Sequence, residues 1–188
     1  MFVIENESEI EIIEKKSKFI TRSKIVYSEK EVEEHLAAIK KNEKGATHNC
    51  YAYRILQRNT IIERKNDDGE PGGTAGSPML AVLTGENIVN ILAITTRYFG
   101  GIKLGSGGLV NNYKKGVVEV IKKSGKKELK IQSNYEIKFK ISETHRIEYI
   151  LKKEDVKIYE KKFNGEEVVF KIICEDKTYE KIRSCISQ

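Results

Sequence analysis

Apolar and charged positions alternate near the start of the chain, where EIEIIE (9–14) and FITRSKIV (19–26) read as strands joined by the basic turn KKSK. The period then lengthens. SEKEVEEHLAAIKKN (28–42) predicts a helix, with Ser28 as N-cap, Glu31 completing a capping box and Tyr27 stapling onto Val32. HNCYAYRIL (48–56) and NTIIERK (59–65) read as a strand pair. Ser77 caps and Pro78 opens a short helix, PMLAVLTGEN. IVNILAITTRYF (88–99) is nearly all apolar and ends at glycines, which suits a central strand buried on both faces. Leu109, Val110, Tyr113, Val117, Val120 and Ile121 then recur at helical spacing, with lysines between them and Gly125 at the end.

A boundary follows. SGKKELK (124–130) is polar, and a new pattern begins after it: YEIKFKI as a strand, ETHRIEYILKKE as a helix, DVKIYEKKF and EEVVFKIIC as a hairpin turning at Asn164-Gly165, and DKTYEKIRSCI as a last helix. The expectation is an α+β chain of two domains, residues 1–125 and 134–188, the second a β-α-β-β-α unit one strand short of a ferredoxin-like module.

Composition narrows the classes. The chain has 188 residues, 39% hydrophobic and 33% charged, which suits a globular protein with a real core. It contains neither an apolar run long enough to span a membrane nor a signal-peptide pattern, so a cytoplasmic location without membrane association is expected. Three cysteines without CxxC spacing argue against a disulfide framework or a zinc finger, and no metal or cofactor is expected. The net charge of +6 is concentrated: between 95 and 125, six basic residues face Glu119 alone.

That excess surrounds the second of two glycine-rich loops, DDGEPGGTAGSPM (67–79) and RYFGGIKLGSGGLV (97–110). Neither is a Walker loop or a dinucleotide fingerprint, and the first is not an EF-hand. In the first loop Asp67, Asp68 and Glu70 read as turn-capping carboxylates, and the loop as a rigid connector. His48 and Cys50, two apart on a strand, share a face; a buried cysteine beside a surface histidine is the expectation, and no nucleophile–base–orienter set is assembled. These five residues form a secondary candidate site. In the second loop KLGSGG runs into a helix, so backbone N–H groups and the helix dipole converge on one anion. The primary candidate site is therefore Arg97, Lys103, Gly105, Ser106, Gly107, Gly108, Lys114 and Lys115.

DDGEPGGTAGSPM followed by TRYFGGIKLGSGGLVNNY resembles the signature of the Impact/YigZ family, and KKSKFI (15–20) and THNCYAYR (47–54) match its N-terminal pattern. The resemblance implies an Impact domain with the fold of the second domain of ribosomal protein S-five, followed by a YigZ-type ferredoxin-like domain similar to the last domain of elongation factor G. It also implies a link to translation, since eukaryotic Impact proteins act in translational control. The expected function is a translation-linked regulator binding RNA, the ribosome or another phosphate-bearing partner, rather than an enzyme. Two alternatives stand beside it: an enzyme acting on a phosphorylated small molecule or peptide, and a protein-interaction adaptor using the tyrosine-rich strand 51–53.

Overall fold

The computed structural model describes residues 1–58 and 60–186, in two compact units, residues 1–129 and 130–188. Asn59, where one expected strand begins, and residues 187–188, the end of the second expected domain, lie outside the described residues.

In the first unit the elements run β1 (Phe2–Ile4), β2 (Ser8–Glu14), β3 (Ser17–Ile25), α1 (Glu29–Asn42), β4 (His48–Gln57), β5 (Thr60–Asn66), α2 (Gly76–Gly85), β6 (Ile91–Tyr98), α3 (Gly105–Ser124) and β7 (Lys126–Glu128). Five strands form one antiparallel sheet in the order β2-β3-β6-β4-β5. The apolar run at 88–99 thus supplies the central strand. Because successive side chains point to opposite faces, Ile91 and Ala93 join the core beneath α2 and α3, while Leu92 and Ile94 join a second cluster with Val32 of α1. Leu109, Tyr113, Val117 and Ile121 of α3 fill the first of these cores.

Local details correct the sequence reading. Ser28 does cap α1, accepting from the Glu31 N–H at 3.3 Å, but the Glu31 carboxylate accepts from the Tyr27 N–H rather than closing the box on Ser28. Tyr27 is exposed, and Val26 packs with Val32 in its place. Helix α2 begins at Gly76 after an Ala75 N-cap, so Ser77 is inside the helix and not its cap. Residues 126–128, expected within the linker, form β7 and pair antiparallel with β1, which the sequence reading missed. Both are three-residue strands, too short for alternation to register.

A close backbone approach fixes the second glycine loop. The β2–β3 turn is two residues, Lys15 and Lys16, both at positive φ. A Cβ on Gly100 would stand 2.0 Å from the Lys16 carbonyl carbon, so only glycine lets the loop pass there.

In the second unit β8 (Ser133–Lys140), α4 (Thr144–Lys153), β9 (Lys157–Asn164), β10 (Glu167–Cys174) and α5 (Asp176–Ile186) follow in sequence. The antiparallel sheet has the order β8-β10-β9. Ile137, Phe139, Phe170 and Ile172 of the sheet meet Ile147 and Leu151 of α4 and Ile182 of α5. The hairpin turns at Gly165-Glu166, one residue later than expected, with Gly165 at φ +65°.

Candidate functional site

The site is built on one row of the central sheet. Phe19 of β3 and His48 of β4 both stand opposite Arg97 of β6. Glu70, from the first glycine loop, lies against this row. Its Oε1 is 2.6 Å from Arg97 Nη1 and accepts the Tyr113 hydroxyl at 2.8 Å, and its Oε2 is 3.8 Å from His48 Nε2. Arg97 is 5% exposed and Glu70 7%, so the two charges are withdrawn from water as a pair. The Arg97 guanidinium carbon lies 5.3 Å from the Phe19 ring centroid and 5.6 Å from that of Phe99. Its Nε is buried without a hydrogen-bond partner among the described residues.

His48 is fixed through one ring nitrogen. Its Nδ1 is 2.7 Å from the Asp68 carbonyl oxygen. A carbonyl only accepts, so Nδ1 carries the hydrogen, and in the neutral ring Nε2 is left as an acceptor. Cys50 is fully buried, its sulfur 2.9 Å from the Asp67 carbonyl oxygen and 3.3 Å from the Tyr113 oxygen. Burial pushes its thiol up to about 12, the Tyr113 hydroxyl opposing and nearby carboxylates adding to the shift. A thiol held protonated at neutral pH is no nucleophile. Burial likewise raises the Tyr113 phenol.

Beside this cluster opens a cavity of about 450 Å³. Pro71, Phe99, Leu104 and Leu109 give it apolar walls, and Thr47, His48, Glu70, Arg97, Lys103, Gly105 and Ser106 line the rest. The primary and secondary candidate sites therefore meet: His48 and Glu70 border the same cavity as Arg97, Lys103, Gly105 and Ser106. Glu70 is accordingly more than a turn-capping carboxylate. Arg97, in turn, is not a free cation, because Glu70 already answers its charge. Gly107 is exposed outside the cavity; Gly108 and Lys115 border a neighbouring groove with Glu14 and Lys15, and Lys114 is exposed on α3. Phe99, Leu104 and Tyr113 were not singled out for the site from sequence. Phe99 directly precedes Gly100 and Gly101, a placement that signals an aromatic at a loop entrance.

The two glycine loops each deliver a helix N-terminus, and the two ends are treated differently. Asp67 closes the start of α2, its carboxylate accepting from the N–H groups of Gly73 at 2.8 Å, Ala75 at 3.1 Å and Gly76 at 2.7 Å. Burial would raise this carboxyl; the three N–H groups outweigh it and hold Asp67 below its ordinary value. Asp68 accepts the Asn49 N–H at 2.6 Å. Helix α3 has no such closure. Leu104 is its N-cap, no side chain caps it and its first turn holds no acidic residue. Four N–H groups at a helix start have no intrahelical partner, so this end is open to an acceptor.

The model of the Impact N-terminal domain matches residues 15–121, which include every residue of the cavity. The chain belongs to the Impact family. Among its relatives, the Impact family member YvyE of Bacillus subtilis (strain 168) is 46% identical over 69% of this chain and 59% of that protein. The Impact homologue of Dictyostelium discoideum is 48% identical over 50% of this chain but 28% of that protein. The chain thus spans little more than half the length of the first of these relatives. A crystal structure described as that of a hypothetical protein superposes with a TM-score of 0.68 at 26% identity, covering 99% of this chain and 90% of the other. Among the described residues no helix is long and apolar enough to cross a membrane, and no group of three or more His, Cys, Asp or Glu is placed to hold a metal ion.

Proposed function

We propose that this Impact-family chain is a translation-linked regulatory protein that binds RNA, including RNA of the ribosome, through phosphate seated at the start of α3. The observation that carries the reading is the uncapped α3 N-terminus opening on a cavity beside Lys103 and Ser106. Exposed Lys114 and Lys115 continue the basic surface along the helix. Lys103 and the helix end attract the anion, while the Arg97–Glu70 pair is internally neutral and forms the floor. The link to translation rests on the family resemblance and the folds it implies: an S-five-like first domain and a ferredoxin-like second one. The sheet order β8-β10-β9 supports the latter, since it is the order of such a module before its last strand is added.

Filter binding of the full chain to single-stranded RNA tests this. Affinity should fall steeply with salt, and Lys103→Gln with Lys114→Glu and Lys115→Glu should weaken it across sequences and flatten the salt slope. RNA binding that ignores salt, or no binding, overturns the reading.

One observation favours a second reading, an enzyme acting on a phosphorylated small molecule: His48, its Nδ1 held by the Asp68 carbonyl, lines the cavity beside the Glu70 carboxylate, a pair of the kind that moves protons. Turnover of such a molecule by purified protein, lost in His48→Gln, would establish it.

Tyr53 is 5% exposed and its hydroxyl donates to Glu29, so the strand 51–53 does not present a row of free tyrosines.

A further inference from the structure

We infer that the cavity is a nucleotide pocket: it takes one base flat against Phe99 with the attached phosphate on the α3 N-terminus. This rests on the phosphate reading above and deepens it by naming what the apolar half of the cavity is for.

A phosphate seat alone needs no apolar walls. Here the lining combines the helix start, Lys103 and Ser106 with the apolar side chains of Pro71, Phe99, Leu104 and Leu109. The volume of about 450 Å³ falls within the range of about 300–1,000 Å³ typical of small-ligand sites. A ligand that fills it joins an anion to a compact, flat, weakly polar group.

Phe99 is set up to stack. It is 47% exposed, although it is large and apolar, and it lines the cavity. The Arg97 guanidinium lies over one face, 5.6 Å from the centroid. Arg97 itself cannot move to meet a ligand, since Glu70 and Ser17 hold its outer nitrogens. It lines the cavity as a fixed, 5% exposed part of the wall, its Nε buried away from the opening.

His48 completes the recognition. With Nδ1 committed to the Asp68 carbonyl, Nε2 accepts from a donor on the ligand, and an amino or imino edge of a base offers one. The nucleotide can be free or an unstacked residue of single-stranded RNA. The chemistry is shared, and only the experiment separates the sources.

The test uses the full chain and a labelled single-stranded RNA followed by fluorescence anisotropy, with AMP and inorganic phosphate as competitors. AMP should displace RNA at concentrations where inorganic phosphate does not. Phe99→Leu should weaken RNA and AMP alike by about 5- to 150-fold, the range of one lost base–aromatic stack, with the salt slope unchanged. Phe99→Tyr should restore both. Circular dichroism of each variant checks that the fold persists. If Phe99→Leu binds RNA as wild type does, the base pocket is wrong and the phosphate reading survives. AMP binding that needs Phe99, without RNA binding, keeps the pocket and removes RNA as the source. If neither RNA nor AMP binds, both proposals fall.

Discussion

Glu70 Oε1 lies 2.6 Å from Arg97 Nη1, and both side chains are almost wholly withdrawn from solvent. The pair joins the first glycine loop to the central strand. Its Coulomb attraction offsets a large desolvation cost, so its net worth is small, but removing one partner strands the other. Glu70→Ala should cost about 3–5 kcal/mol, and Glu70→Leu combined with Arg97→Met should recover much of that. Urea denaturation of the three proteins checks it. Equal stability of wild type and Glu70→Ala would show that water relieves Arg97.

Asp67 supplies the same service to α2 that α3 lacks. Asp67→Ala should cost about 0.5–2 kcal/mol as a lost helix cap. The pH dependence has a definite sign. The folded carboxyl titrates below its ordinary value, so its contribution is complete above the unfolded value of about 3.9 and is lost as the pH falls through the lower folded value. The stability gap between wild type and variant should be full at neutral pH and close in acid. A gap that widens in acid would contradict the geometry.

Ser106→Asp transplants that arrangement to α3. A carboxylate in the first helical turn should raise stability by about 0.3–1 kcal/mol at low salt. The same charge should repel an incoming phosphate, so thermal melting temperature rises while RNA affinity falls. Both falling together would mean that the substitution damages the fold.

Thiol labelling reads the burial of the cysteines. Cys50 and Cys174 are buried, burial raises both thiols, and Cys185 is partly exposed. An aromatic disulfide reagent at pH 8 should modify one thiol quickly and the other two at the rate of unfolding. Mass mapping should place the fast one at Cys185.

Limited trypsin digestion should cut first at Lys130. Lys126 and Lys127 precede it closely, but their backbone is paired with β1, and paired backbone resists entry into a protease cleft. Early cleavage at 126–127 would show that the short β1–β7 pairing opens readily.

Much of the architecture was legible along the chain. The period change at Ser28, the unbroken apolar run at 88–99, the helical spacing from Leu109 to Ile121 and the fresh pattern after Gly125 each depend on neighbours in sequence, and periodicity reports those directly. The open helix start at Gly105 was legible for the same reason, since glycines before an amphipathic helix are a local signal. Strands β1 and β7 were not, because three residues carry no period and their pairing spans the whole first unit. Nor was the site's assembly. Nothing local says that Glu70 neutralises Arg97, that His48 faces the cavity of the second loop, or that Asp67 rather than Ser77 closes α2. Those outcomes follow from strand order and register, which set residues far apart in sequence side by side, and register is a property of the folded sheet.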